Sequence, residues 1–238
     1  MKLDILAIGA HPDDVELSCA GTIVKHKKAG KKIGICDITR GELSTRGNLS
    51  TREKETDIAS KIMGISVRVN LNLPDGFFKN DQESQLQLVK IIRKYRPEIV
   101  LAPALYDRHP DHGRAAKLCN TACFLSGLSK VQTSIQNVEQ EPWRPRILLH
   151  YIQDYNMPAS ILVDISKEFE TKMDAIKAYS SQFYSENSNE TQTPISTKEF
   201  LEYIEGRSKF WARCIGVEYA EAFVVKRPIG IKYLDELL

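Results

Sequence analysis

No apolar run in this sequence of 238 residues approaches the ~20 that a membrane-spanning helix needs. A membrane partner is therefore not expected, nor is a signal peptide, because Met1-Lys-Leu-Asp4 leads directly into an apolar segment. Net charge is nearly absent: the formal value of +2 is too small to argue for a nucleic-acid partner. Cysteine is sparse. Cys19, Cys36, Cys119, Cys123 and Cys214 are odd in number and form no CxxC, which points to reduced thiols in a cytoplasmic protein and away from a disulfide framework. Cys119 and Cys123 are spaced i, i+4, a pattern that helix packing explains better than a metal does. Internal repeats and low-complexity tracts are missing, as is the G-x-G-x-x-G fingerprint of a dinucleotide fold. The turn where that fingerprint belongs reads Gly9-Ala-His-Pro-Asp-Asp14, whose two aspartates would repel a pyrophosphate. The remaining composition, 42% hydrophobic and 27% charged, suits one globular domain over 1–238.

Two short polar segments break this ordinary background. Leu3 to Ile8 is apolar and bounded by Gly9, which predicts a strand buried on both faces of a parallel sheet. Pro12 biases His11 away from helical angles, so the chain turns there and presents His11, Asp13, Asp14 and Glu16 beyond the strand end. Adjacent carboxylates raise each other's pKa unless a cation or a proton-transfer task holds them in place. About a hundred residues later Ile99 to Ala102, again apolar, precedes Asp107-Arg-His-Pro-Asp-His112. Open α/β sheets bind ligands at the carboxyl ends of their strands, so both segments are expected at one sheet edge. His11, Asp13, Asp14, His109, Asp111 and His112 then offer the donor types of a catalytic zinc site. His26 and His150 lie outside both segments and carry no expected task. Glu16 suits either a buried partner of the site or a charge at a helix start.

Between these segments the pattern alternates strand and helix, predicting an α/β fold: three-layer, Rossmann-like, with a mostly parallel central sheet flanked by helices. Helices are expected over Leu17–Ala29, from Ser50 to near Gly64, over Gln82–Tyr95, from about Asp111 to Leu125, over Lys167–Tyr179 and from Ser196 to about Cys214. Ser50 with Glu53, and Ser196 with Glu199, read as capping boxes. Further strands are expected at Ile33–Ile38, Val67–Leu71, Ile147–Ile152, Ile161–Ile165 and Tyr219–Val225. Ser129–Pro145 reads as an irregular insertion and Ser180–Pro194 as an exposed polar loop. The loop Thr39–Ser50 is long enough to suggest a binding role.

The motifs Ala10-His-Pro-Asp-Asp-Val-Glu16 and His109-Pro-Asp-His112 closely resemble those of the LmbE-like (PIG-L) zinc deacetylases. Gly34-Ile-Cys-Asp-Ile-Thr-Arg-Gly-Glu-Leu43 and Thr51-Arg-Glu-Lys-Glu55 resemble the branch acting on N-acetylglucosaminyl-malate in bacillithiol biosynthesis. The resemblance implies that His11, Asp14 and His112 bind one Zn2+ per chain, that Asp13 is the general base, and that His109 assists the tetrahedral intermediate. It also implies Arg52 at the substrate and a homo-oligomer such as a hexamer. Asp111 is expected to hydrogen-bond one of the imidazoles and set its tautomer. Fe2+ can occupy the same donors. Another N-acetyl sugar remains an alternative substrate. A non-haem Fe(II) oxygenase also uses two histidines and a carboxylate, but would leave Asp13 and His109 without tasks; a nucleotide-binding module is the remaining alternative.

Overall fold

The computed structural model describes residues 1–65, 67–186 and 188–233. Asn187, within the expected polar loop, and residues 234–238 of the expected domain lie outside the described residues. In chain order the elements are β1 (Ile5–Gly9), α1 (Asp14–Lys28), β2 (Ile33–Asp37), α2 (Leu49–Ile62), β3 (Val67–Asn70), α3 (Gln82–Tyr95), β4 (Ile99–Ala102) and α4 (Pro110–Leu125). Then come β5 (Ser134–Ile135), β6 (Val138–Glu139), β7 (Ile147–Tyr151), β8 (Ile161–Asp164), α5 (Phe169–Lys177), α6 (Lys198–Ile215) and β9 (Ala220–Val224).

The main sheet runs β3-β2-β1-β4-β7-β9-β8. The first five strands are parallel, with Leu6 beside Gly34 on one side and Val100 on the other. The mostly parallel α/β architecture is thus present, with one exception to strict parallelism. β9 inserts between β7 and β8 and is antiparallel to both. The chain leaves β1 towards β2 and β3, then crosses back to β4 on the other flank, so β1 and β4 border the topological switch point where such sheets open a crevice.

Strand periodicity explains the layers. Leu6 and Ile8 face one way and pack with Val100, Leu88 and Ile92 of α3, and Leu118 and Ala122 of α4. Ile5 and Ala7 face the other way, against Val15, Ala20 and Ile23 of α1. Cys119 and Cys123 belong to the first of these cores, as helix packing suggested, and burial pushes both thiols up, Cys123 to about 12. None of the five cysteines is paired in a disulfide.

Several boundaries differ from expectation for local chemical reasons. α1 begins at Asp14, directly after the His-Pro-Asp turn, and is broken at Cys19 (φ −144°). There Gly21 and Thr22 N–H donate to the buried Glu221 carboxylate at 3.0 and 2.7 Å. α2 is capped by Asn48, whose side chain accepts from Thr51 N–H, so Ser50 and Glu53 form no capping box. Glu53 instead receives Arg40 at 2.5 Å. Thr197 caps α6, while Ser196 Oγ accepts from Thr193 N–H at 2.8 Å, so the second expected capping box is also displaced. Inside the expected irregular insertion, β5 and β6 pair as a hairpin whose turn residues Gln136 and Asn137 take φ of 50° and 63°. Among the described residues no helix is long and apolar enough to cross a membrane.

Candidate active site

The polar segments after β1 and β4 meet in a cleft of about 360 Å³ at the switch point, lined by His11, Asp13, Asp14, His109, His112 and Arg52 among others. All seven residues selected from sequence come together here, with Asp111 beneath His11. The imidazoles of His11, His109 and His112 bring nitrogen atoms within 4.8 Å of one another. Ring centroids are 4.7 Å apart for His11 and His109 and 5.1 Å for His109 and His112. Asp14 joins the cluster: one carboxylate oxygen is 3.1 Å from His112 Nε2 and the other 3.6 Å from His11 Nδ1. The second oxygen also accepts His11 N–H at 2.9 Å, which ties the carboxylate to its own turn.

Three residues not selected from sequence complete the surroundings. Asp107 accepts from His112 Nδ1 at 2.5 Å, and its other oxygen accepts from the N–H groups of Asp154 and Tyr155 at 2.9 and 2.7 Å. This places the His112 proton on Nδ1 and leaves the Nε2 lone pair facing Asp14. Asp75 lies 3.0 Å from His11 Nε2, nearer than Asp111 at 3.3 Å, so the tautomer-setting task expected of Asp111 is shared with Asp75 at His11 and falls to Asp107 at His112. Asp111 itself is held by Gly76 N–H at 2.8 Å and by Arg114. Gln153 Nε2 donates to Asp14 at 3.0 Å, while its carbonyl oxygen accepts from Ala104 N–H. Each has a findable signal: Asp107 opens the second motif, Asp75 follows β3 and Gln153 follows β7, all at carboxyl ends of parallel strands.

Electrostatics distinguish the groups. Burial opposes charge on His11, but hydrogen bonds to Asp111, Asp14 and Asp75 outweigh it and hold its pKa well above the ordinary value. His112 is likewise raised to about 9, burial being overcome by the Asp14 charge and Asp107. Burial would raise Asp14, yet the neighbouring His112 and His11 pull it well below the carboxylate range. The carboxylate cluster therefore demands positive charge at the position the imidazole nitrogens face, and a divalent cation bound by neutral imidazoles satisfies that demand. The donor set fits such an ion. His109 behaves oppositely: burial and then the charges of His11 and His112 lower its pKa. Its Nδ1 accepts Asp111 N–H at 3.3 Å as the cap of α4, so the neutral ring carries its proton on Nε2.

Asp13 is raised to about 6, first by burial, with the Arg52 charge opposing. Its backbone is unusual: φ is 119° and ψ −24°, and its side chain makes no cap bond to α1. A non-glycine residue held in such a region costs about 1–3 kcal/mol and persists only where neighbours enforce it. Arg52, on α2, donates through Nη1 to Asp13 at 2.5 Å and to Pro12 C=O at 2.7 Å. The third motif-region acid, Glu16, is fully buried and receives Arg68 at 2.6 Å and Tyr179 OH at 3.1 Å, so it is a buried partner as well as a helix-start charge. Among the described residues His26 bonds its own helix, through Thr22 C=O, and His150 is buried on the β7 strand.

Comparison with known proteins shows the family and the fold. The family model PIG-L, described as GlcNAc-PI de-N-acetylase, matches residues 6–123, which include every site residue selected from sequence. A diacetylchitobiose deacetylase of Thermococcus kodakarensis is 29% identical over 91% of this chain and 80% of its own length. A probable N-acetyl-alpha-D-glucosaminyl L-malate deacetylase 2 of Bacillus anthracis is 23% identical over 87% of this chain and 93% of its own. Among solved structures, the conserved protein TT1542 from Thermus thermophilus superposes with a TM-score of 0.86 at 37% identity, covering 96% of this chain and 97% of that one.

Proposed function

This chain belongs to the PIG-L (LmbE-like) deacetylase family, and from that premise we propose that it is a zinc-dependent hydrolase of an N-acetylglucosaminyl conjugate, with N-acetylglucosaminyl-malate as preferred substrate. The observation that carries the reading is the joining of three clustered imidazoles and Asp14 to a separately held carboxylate, Asp13, in one cleft. Amide hydrolysis needs those two parts: a place to hold and polarise water and carbonyl, and a base beside it. His11, Asp14 and His112 hold the metal in this reading, leaving a position open for water. A bound zinc ion lowers the pKa of water to about 7 and withdraws electrons from a carbonyl oxygen.

The protein's own groups do the rest. Asp13 removes a proton from water as its oxygen bonds to the acetyl carbon. His109 donates an Nε2–H hydrogen bond to the oxyanion that develops, a task suited to a neutral ring. When the carbon–nitrogen bond breaks, Asp13 returns the proton to the amine, and acetate and the free amino sugar are the products. Asp111, Asp75 and Asp107 orient the metal-holding imidazoles. Arg52 borders the cleft, as do Arg46, Arg108 and Arg207, and in this reading it is the arginine that meets a substrate carboxylate. Five free thiols support a cytoplasmic setting, and we extend the family resemblance to a homo-oligomer, a hexamer in its simplest form.

A neutral aglycone is the second reading, favoured by the higher identity to the diacetylchitobiose deacetylase than to the malate enzyme. Acetate release from both conjugates separates the two. The account expects a higher kcat/KM for N-acetylglucosaminyl-malate than for N,N′-diacetylchitobiose. Equal values, or the reverse order, would assign the neutral class.

A further inference from the structure

Asp13 and Arg52 are both 6% exposed, and their contact is more specific than a salt bridge between neighbours requires. One nitrogen, Nη1, donates to two consecutive residues: the carbonyl of Pro12 at 2.7 Å and the carboxylate of Asp13 at 2.5 Å. The peptide between those two acceptors is where the chain enters the left-handed region, with Asp13 at φ 119°. The guanidinium is itself confined. Tyr179 lies under it at 5.9 Å, with its hydroxyl bonded to Glu16, and a Cβ added at Gly41 would lie only 3.4 Å from Nη2. Arg52 Nε is buried with no hydrogen-bond partner among the described residues, an unfavourable arrangement accepted alongside the contact of Nη1 with the turn. An arginine whose sole task was to bind substrate would not need to spend a nitrogen on the backbone of the turn.

We propose that Arg52 is a positioning residue for Asp13, fixing both the left-handed turn and the carboxylate's direction through the paired Nη1 hydrogen bonds. The proposal rests on the reading of Asp13 as the base, and assigns Arg52 a task that is independent of any charge on the substrate. Nη1 is committed and Nε is buried, so a carboxylate on the aglycone is left Nη2, and one guanidinium couples substrate recognition to the placement of the base. Lysine cannot substitute: its ammonium ends short of Nη1 and lacks the rigid plane that holds two acceptors in register.

The test measures Arg52→Lys and Arg52→Ala against wild type, with kcat and KM on neutral N,N′-diacetylchitobiose and on N-acetylglucosaminyl-malate, and metal content per chain. A misdirected reacting group costs on the order of a hundredfold, so kcat is expected to fall by about that factor on both substrates in both variants. KM for the neutral substrate and metal content stay near wild type, and guanidinium ion at non-denaturing concentration restores part of kcat in Arg52→Ala. Unchanged kcat on the neutral substrate, with only KM for the malate conjugate raised, overturns the proposal. So does a loss of kcat that guanidinium leaves untouched. A crystal structure of Arg52→Ala decides the matter without turnover: the account expects Asp13 to leave the left-handed region or its carboxylate to swing away, and an unaltered Asp13 overturns it. Wild type inactive on both conjugates counts against the functional reading instead, leaving the structural arm to judge the pairing.

Discussion

At the residue scale, the two histidines of the second motif differ by what holds their ring nitrogens. Asp107 accepts a hydrogen bond from His112 Nδ1–H and turns the Nε2 lone pair inward, whereas His109 Nδ1 is used as a helix cap and its proton is left on the other nitrogen. The account therefore expects His109→Ala to lower kcat by about a hundredfold, with little change in KM and full metal content. Loss of metal in that variant would move His109 into the ligand set, which its 4.8 Å clustering with His11 and His112 permits geometrically. His11, Asp13, Asp14, His109 and His112 were legible in the sequence because they fall in two dense His-Pro-Asp segments at strand ends. Asp75 and Gln153 were not. Each follows a strand but shares its loop with other polar residues, Asn72 and Lys79 near Asp75 and Asp154 and Asn156 after Gln153, and only the folded sheet brings it within 3.0 Å of His11 or Asp14.

At the element scale, helix starts were the least legible feature. Around α2 the sequence Asn48-Leu-Ser-Thr offers three residues able to cap, and the local pattern does not choose among them. The chain selects Asn48, which puts Arg52 on the fourth helical residue, its N–H bonded to Asn48 C=O. Asn48→Ala is accordingly expected to destabilise by about 1 kcal/mol, and Ser50→Ala by less than about 0.5 kcal/mol. Urea unfolding of the two variants checks this; a larger loss from Ser50→Ala would restore the capping box. The strands were legible for the opposite reason. β1 and β2 are short runs between turn residues and are buried at every position, which leaves no competing period, whereas the two-residue strands β5 and β6 carry no such run. The insertion of β9 between β7 and β8 had no local signature, since an antiparallel buried strand carries the same apolar run as a parallel one.

At the scale of the whole molecule, the sheet carries ionisable groups whose burial makes stability depend on pH. His150 is fully buried: its Nδ1–H donates to Pro103 C=O at 2.7 Å and Nε2 accepts from Asn120 at 3.1 Å, so the neutral ring is satisfied. Burial lowers its pKa below the ordinary 6.5. A depressed folded pKa means that the unfolded chain binds the proton first, so the contribution is complete above about pH 6.5 and is lost as pH falls towards the folded value. The stability difference between wild type and His150→Gln is expected to shrink from about pH 7.5 to about pH 5 in metal-free protein, measured by urea unfolding. A difference that stays constant or grows would show that His150 does not titrate in this way. The same sheet brings strand ends distant in sequence to one cleft, and the central claim is that the cleft separates metal holding from proton transfer. Metal content per chain, measured beside acetate release for His112→Ala and Asp13→Asn, tests this most directly. The account predicts that His112→Ala purifies without metal, whereas Asp13→Asn keeps about one ion per chain and loses nearly all turnover; a metal-free or fully active Asp13→Asn protein would contradict it.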